Sequence, residues 1–183
     1  MNARFASHSL LLMLLGLALP GLLQAETKEL KTGAFQIVHE LILPASPEAV
    51  YDAATGDISG WWDHHVSTHP KKLYIEARPG GGFWEIFNDS GDGVLHATVI
   101  YAERGRVLRF TGPLGLSGQA IDMVTTWEFF PDPAGTKMRL TCNVSGQMED
   151  GLEKILDGVW HHFLVERLKP YIESGAYKSK TQR

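Results

Sequence analysis

The chain of 183 residues has a single cysteine, Cys142, so no disulfide can form within it. It has no basic cluster either. Lys and Arg number 17 against 21 acidic residues, a net charge of -4. Nucleic-acid binding requires phosphates to be neutralised by Lys and Arg, so that class of partner is excluded. Lys178, Lys180 and Arg183 form a short basic end that reads as a solvated tail. Repeats and long linkers are missing, and no Ser, His and Asp stand in a recognisable catalytic motif. Gly80-Gly81-Gly82 lacks the spacing of a phosphate loop and reads as a tight turn.

Only one dense apolar run occurs, Leu10 to Leu19, preceded by Arg4 and His8 and broken by Pro20-Gly21. Leu23-Gln24-Ala25 offers a small residue for cleavage. This is the layout of a secretory signal peptide over 1–25, and the run is shorter than the ~20 residues that span a bilayer. Cleavage after Ala25 removes Arg4 and takes the net charge from -4 to -5. The expectation is a periplasmic or secreted single domain over 26–183, with no stable membrane anchor after cleavage. A chain of that size can bury ~70% of its unfolded surface.

Within the domain, Gln36 to Leu43 reads as a first strand. Pro44 and Pro47 open a short helix, Glu48 to Ala54. Gly56 and Gly60 bracket a second short helix or turn that ends at Trp61-Trp62. Strands follow over 73–77, 83–87, 94–102, 106–111, 123–130 and 137–144, separated by Gly-, Asn- and Asp-rich turns. Cys142 alternates with Met138, Leu140 and Val144, which places it in the core as a small apolar residue. After Val144 the period changes from two to 3.6. On a wheel of ~100° per residue, Leu152, Ile155, Leu156, Val159, Trp160, Phe163, Leu164 and Tyr171 share one arc. Pro170 predicts a kink or fraying. Arg167 falls inside the arc, so either its stem packs while its head snorkels, or its guanidinium meets a buried acid or an anionic ligand. The fold class is therefore α+β, a curved antiparallel sheet wrapped around a long C-terminal helix with two short helices after the first strand.

Several stretches resemble a known group: Pro47-Glu48-Ala49-Val50-Tyr51, Trp61-Trp62, Arg78-Pro79-Gly80-Gly81, Gly135-Thr136-Lys137-Met138-Arg139-Leu140 and the closing helix. Together they are similar to the START-like (SRPBCC, helix-grip) superfamily, and within it to the small bacterial relatives of the activator of the heat-shock protein 90 ATPase. The resemblance spans about 35–174. It implies a sheet gripping the last helix with an apolar cavity between them. The export signal is a departure from the mostly cytosolic family.

Strand alternation assigns Trp84, Ile86, Met123, Thr125, Trp127, Met138 and Leu140 to the concave face, opposite Trp160 and Phe163. Aromatic rings and flexible methionines leave gaps that hold an apolar ligand, unless the core is simply filled. Trp61 and Trp62 either stack on a flat ligand or form a packed lid. Glu85 and Glu128 alternate with Trp84 and Trp127 and are assigned to the outer, solvated face. His64, His65 and His69 lie near Asp63, but zinc needs three or four convergent ligands. Adjacent His64 and His65 point apart, as do His161 and His162, so no metal site and no cofactor are read from the spacing.

These observations favour a binding protein for a small apolar or aromatic molecule, with Trp61, Trp62, Trp84, Ile86, Met123, Trp127, Met138, Leu140, Trp160, Phe163 and Arg167 as candidate ligand contacts. A cyclase- or aromatase-type enzyme using the same cavity is the alternative, disfavoured because few titratable groups face the cavity. Activation of a chaperone ATPase ranks third, since an exported protein does not meet a cytosolic chaperone.

Overall fold

A computed structural model describes residues 26–182. The expected signal peptide over 1–25 lies outside the described residues.

Among the described residues, eight strands form one antiparallel sheet. They are β1 (Thr32–Leu43), β2 (Gly56–Asp57), β3 (Lys72–Ile75), β4 (Gly82–Ile86), β5 (Gly93–Glu103), β6 (Val107–Gly112), β7 (Ile121–Asp132) and β8 (Gly135–Gln147). Their order across the sheet is β1-β8-β7-β6-β5-β4-β3-β2. All neighbours follow in sequence except at one edge, where β1 pairs with β8 along its whole length, from Thr32 opposite Gln147 to Leu43 opposite Thr136. The chain therefore crosses from one edge to the other after β1.

Helix α1 (Pro47–Ala54) makes that crossing. Ser46 caps it by accepting the Ala49 N–H at 3.3 Å, and Pro47 sits in its first turn, where no donor is needed. The expected second short helix does not form. Gly56–Asp57 pairs with β3 instead, and a tight turn stapled by Ser59 N–H to the Asp57 carboxylate (3.0 Å) leads to Trp61.

The β7–β8 hairpin is the longest-paired in the sheet together with β1–β8. Its turn is held by the Ala134 N–H donating to the Asp132 carboxylate at 2.9 Å. Gly135 is obligatory there. Its φ is +129°, and a Cβ would stand 2.3 Å from the Leu43 carbonyl oxygen. Thr136 then donates its hydroxyl to the Ala45 carbonyl at 2.6 Å, tying the hairpin to the start of α1. Along β8, Met138, Leu140, Cys142 and Val144 are all buried, as alternation requires. Burial pushes the Cys142 thiol up, so it stays protonated and packs against Thr125, whose hydroxyl lies 3.4 Å from Sγ.

The closing helix lies against this face. It runs as α2 (Leu152–His161), a wider stretch of i→i−5 geometry over His162–Leu168, and α3 (Lys169–Glu173). The Lys169 N–H reaches the Leu164 carbonyl, five residues back. The helix thus passes through Pro170 without fraying, since the wide turns include Glu166, four residues back, whose carbonyl the proline ring would meet in a regular helix. This stretch corrects the wheel. One extra residue per wide turn advances the phase by about 100°, so the positions that a straight wheel gives to Arg167 and Tyr171 are taken by Leu168 and Ile172, both buried. Arg167 is thereby turned toward the edge. Ile155, expected on the buried arc, is 61% exposed.

Strand β4 is a second correction. Phe83 and Glu85 are buried, while Trp84 and Ile86 alternate to the other side and are half-buried. The segment Phe83 to Phe87 is apolar in both alternation classes, so pattern alone does not choose its facing. A bulge after Phe83 offsets the pairing with β5, and Trp84 settles beside Glu76, to which its indole N–H donates at 3.3 Å. Glu128 keeps the outer face expected for it but is half-buried rather than solvated, beside the buried Trp127.

Candidate functional site

Between the sheet and the first half of the closing helix lies a cavity of about 320 Å³. The helix supplies Leu156, Val159, Trp160 and Phe163. The sheet supplies Phe83 from β4, His96 from β5 and Met123 from β7. Trp62 and residues 64–66 form one side wall, and the short turn Leu114–Leu116 forms the other. Leu114 holds a left-handed φ of 50°, uncommon for a leucine, which points its carbonyl at the His96 ring. Ile155 lies at the solvent-facing rim.

An aromatic cluster builds the deep wall. Trp62 stacks on Phe163 with centroids 3.7 Å apart and planes 18° from parallel. It meets Phe83 edge-on at 5.0 Å, and its indole N–H is satisfied by the His64 carbonyl at 3.1 Å. Trp61 packs behind it, edge-on to Trp62 at 5.4 Å and 6.2 Å from Trp127. Aromatic pairs prefer these tilted arrangements because their edges are positive and their faces negative.

The expected contacts therefore divide. Trp62, Met123, Trp160 and Phe163 line the cavity. Trp61, Trp127, Met138 and Leu140 are buried one layer deeper and support the wall without forming it. Trp84 and Ile86 face the other side of the sheet. Arg167 reaches the protein itself, with Nε 3.1 Å from the Asp63 carboxylate and donating to the Trp61 carbonyl at 3.3 Å.

Two polar groups in this region were not assigned to it from the sequence. Glu85 is fully buried, not solvated. Its carboxylate accepts the Val66 N–H at 2.9 Å and the Ser67 N–H at 2.7 Å, and it lies 3.0 Å from His96 Nε2. Burial pushes its carboxyl up, but the two backbone donors and His96 outweigh burial and hold it below the ordinary glutamate range. His96 also faces the Leu114 carbonyl through Nδ1 at 3.2 Å. Glu85 thus pins one cavity wall (66–67) and, through His96, the other (Leu114). A charged residue inside an apolar stretch carries no signal of inward facing, which is why alternation missed it.

At the rim, Asp63 gathers three cations or proton donors. His64 Nδ1 is 2.9 Å away, His162 Nε2 3.0 Å and Arg167 Nε 3.1 Å. Burial raises the Asp63 carboxyl, and the bonds to His64, His162 and Arg167 lower it further than burial lifts it. His162 also pairs through Nδ1 with Glu166 at 2.8 Å, and these two carboxylates raise it above the ordinary histidine range. This network ties the wide helical stretch to the Trp61–Trp62 turn.

The family model for activator of Hsp90 ATPase homolog 1-like protein matches residues 44–173. The chain belongs to this family. The match covers both walls of the cavity and the entire closing helix. No curated protein matches the chain. Among solved structures, a protein from Rhizobium leguminosarum is 19% identical, covers 80% of this chain and 99% of its own, and superposes with a TM-score of 0.61. The AHSA1-like protein from Aeromonas hydrophila is 18% identical over 78% of this chain and 95% of its own, with a TM-score of 0.55. A Staphylococcus aureus protein is 17% identical over 84% and 99%, also at 0.55. At these identities the likeness concerns the fold alone, the helix-grip arrangement of the SRPBCC proteins.

Proposed function

We propose that this member of the Hsp90 ATPase activator-like family is an exported protein that holds a small apolar or aromatic molecule in the cavity between sheet and closing helix. The observation that carries this reading is the cavity, about 320 Å³, walled by Trp62, Phe83, Met123, Trp160 and Phe163. Its volume lies at the small end of the ~300–1,000 Å³ typical of ligand sites. At ~30 Å³ per water it has room for about ten waters, which suits a one- or two-ring compound or a medium acyl chain. Export is supported by the basic start, apolar run and Ala25 of the sequence.

Native mass spectrometry of protein purified from its own host reads out a retained molecule. Tryptophan-fluorescence titration with naphthalene- and indole-type probes tests the site directly, and Val159→Trp, which fills the cavity from the helix, should abolish the response. Binding that survives Val159→Trp would place the site elsewhere. N-terminal sequencing of the secreted fraction should begin at Glu26, and an intact Met1 in the cytosol would refute export.

One observation favours an enzyme as the second reading: His96 and Glu85 form a buried acid–base pair in the cavity wall. Both ring nitrogens of His96 already face protein acceptors, which supports a structural role for the pair.

A further inference from the structure

We propose that Asp63, His64 and His162 bind a divalent transition-metal ion, of which Zn²⁺ is the type, at the rim of the cavity. The sequence separates His162 from Asp63 by 99 residues and from His64 by one fewer, but the closing helix brings it onto the turn after β2. One oxygen and two ring nitrogens converge so that all three lie within 4.8 Å of one another. Both nitrogens approach the same carboxylate atom. Asp63 Oδ1 is 2.9 Å from His64 Nδ1 and 3.0 Å from His162 Nε2. Ligands on a tetrahedral zinc with bonds near 2.0–2.1 Å stand about 3.3 Å apart. The two nitrogen–oxygen edges are thus already close to that length, and only the two rings must approach each other. His64 is exposed and free to turn by the ångström or so required.

The surroundings match what a metal-binding histidine needs. His162 Nδ1 lies 2.8 Å from the Glu166 carboxylate, the carboxylate–histidine arrangement that fixes the tautomer and presents the other nitrogen to an ion. Arg167 pairs with Asp63 Oδ2, which His162 Nε2 also reaches at 3.0 Å, and Oδ1 is the oxygen shared by both histidines. The wide helical stretch that carries His162 is a geometry often found at functional sites. Asp63 and Glu166 outnumber Arg167 here, so the charged side chains leave a net negative site that favours a cation, and the ion competes with protons for the two ring nitrogens. Three protein ligands leave a fourth position for water or for a polar group on a molecule in the adjoining cavity, whose wall His64 shares.

The test uses the mature protein, dialysed against chelator and titrated calorimetrically with ZnCl₂. One ion should bind per chain. His162→Ala and Asp63→Asn should each weaken binding at least tenfold. Glu166→Gln, which keeps all three ligands, should weaken it roughly 10- to 100-fold. His69→Ala, outside the cluster, should leave it unchanged. A second measurement needs no variant: the imidazole ¹⁵N signals of His64 and His162 should shift on Zn²⁺ addition while those of His39 and His69 stay in place. No binding at high micromolar Zn²⁺, equal binding by His162→Ala, or shifts confined to other histidines would each overturn the assignment.

Discussion

Replacing Glu85 by Gln changes one atom and should destabilise the protein by about 2–3 kcal/mol. Glu85 Oε2 accepts the Val66 N–H and faces His96, and Oε1 accepts the Ser67 N–H. An amide has one acceptor oxygen. With that oxygen at the Oε2 position, its NH₂ confronts the Ser67 N–H; with the reverse placement it confronts the Val66 N–H. One donor loses its acceptor either way, at about 1–3 kcal/mol, and the low half of that range applies because 66–67 is partly open to water. The surviving bonds lose their ionic character, which roughly halves them.

Acidity provides an internal control. The Glu85 carboxyl is lower in the folded protein than in the unfolded chain, so its stabilisation is complete above the unfolded value and is lost as the pH falls through the folded one. The wild type should therefore lead Glu85→Gln at pH 7, and the margin should shrink once the pH drops below about 4.5. Urea denaturation of both proteins across that range measures it. A loss under about 0.5 kcal/mol at pH 7, well below the cost of one stranded donor, or a margin that persists unchanged into acid, would refute the account of Glu85 as a buried ionic pin.

Phe163→Ala removes the ring stacked on Trp62 and should cost ~3–5 kcal/mol in the same melts. Arg167→Met should leave affinity for apolar acids equal to that of the wild type in fluorescence titrations, because the guanidinium is engaged by Asp63. His162 lies above its ordinary value when folded, so its ionic contribution is full below the unfolded value and is lost as the pH rises through the folded one. With chelator present, thermal melts should therefore show the wild type ahead of His162→Ala most clearly at about pH 6, with the gap closing toward pH 9.

The strands, the hairpin and the closing helix were legible because each pairs a strong period with turn residues of known geometry. Lys137 to Val144 alternates cleanly, and Gly135 sits where a side chain would collide with Leu43. Met123, Trp160 and Phe163 line the cavity from the faces that strand alternation and helical spacing assign them, while Trp62 lines it from a turn where the sequence left a ligand stack or a packed lid open. Strand β4 was not, since its apolar residues fill both faces and the one charged residue among them turned inward to backbone donors supplied by a distant loop. The Asp63–His162 contact was equally hidden, because only the finished fold brings the two ends of the domain together.

The wide stretch His162–Leu168 also bears on how this chain should be compared with others. A relative whose closing helix is regular throughout reaches the same final contacts with one residue fewer. Aligning the two without a gap would set Arg167 and Tyr171 against the relative's core positions and leave Leu168 and Ile172 facing its solvent side. A single gap between Phe163 and Leu168 restores the correspondence. Identity counted over the last helix against such a relative is understated when that gap is omitted.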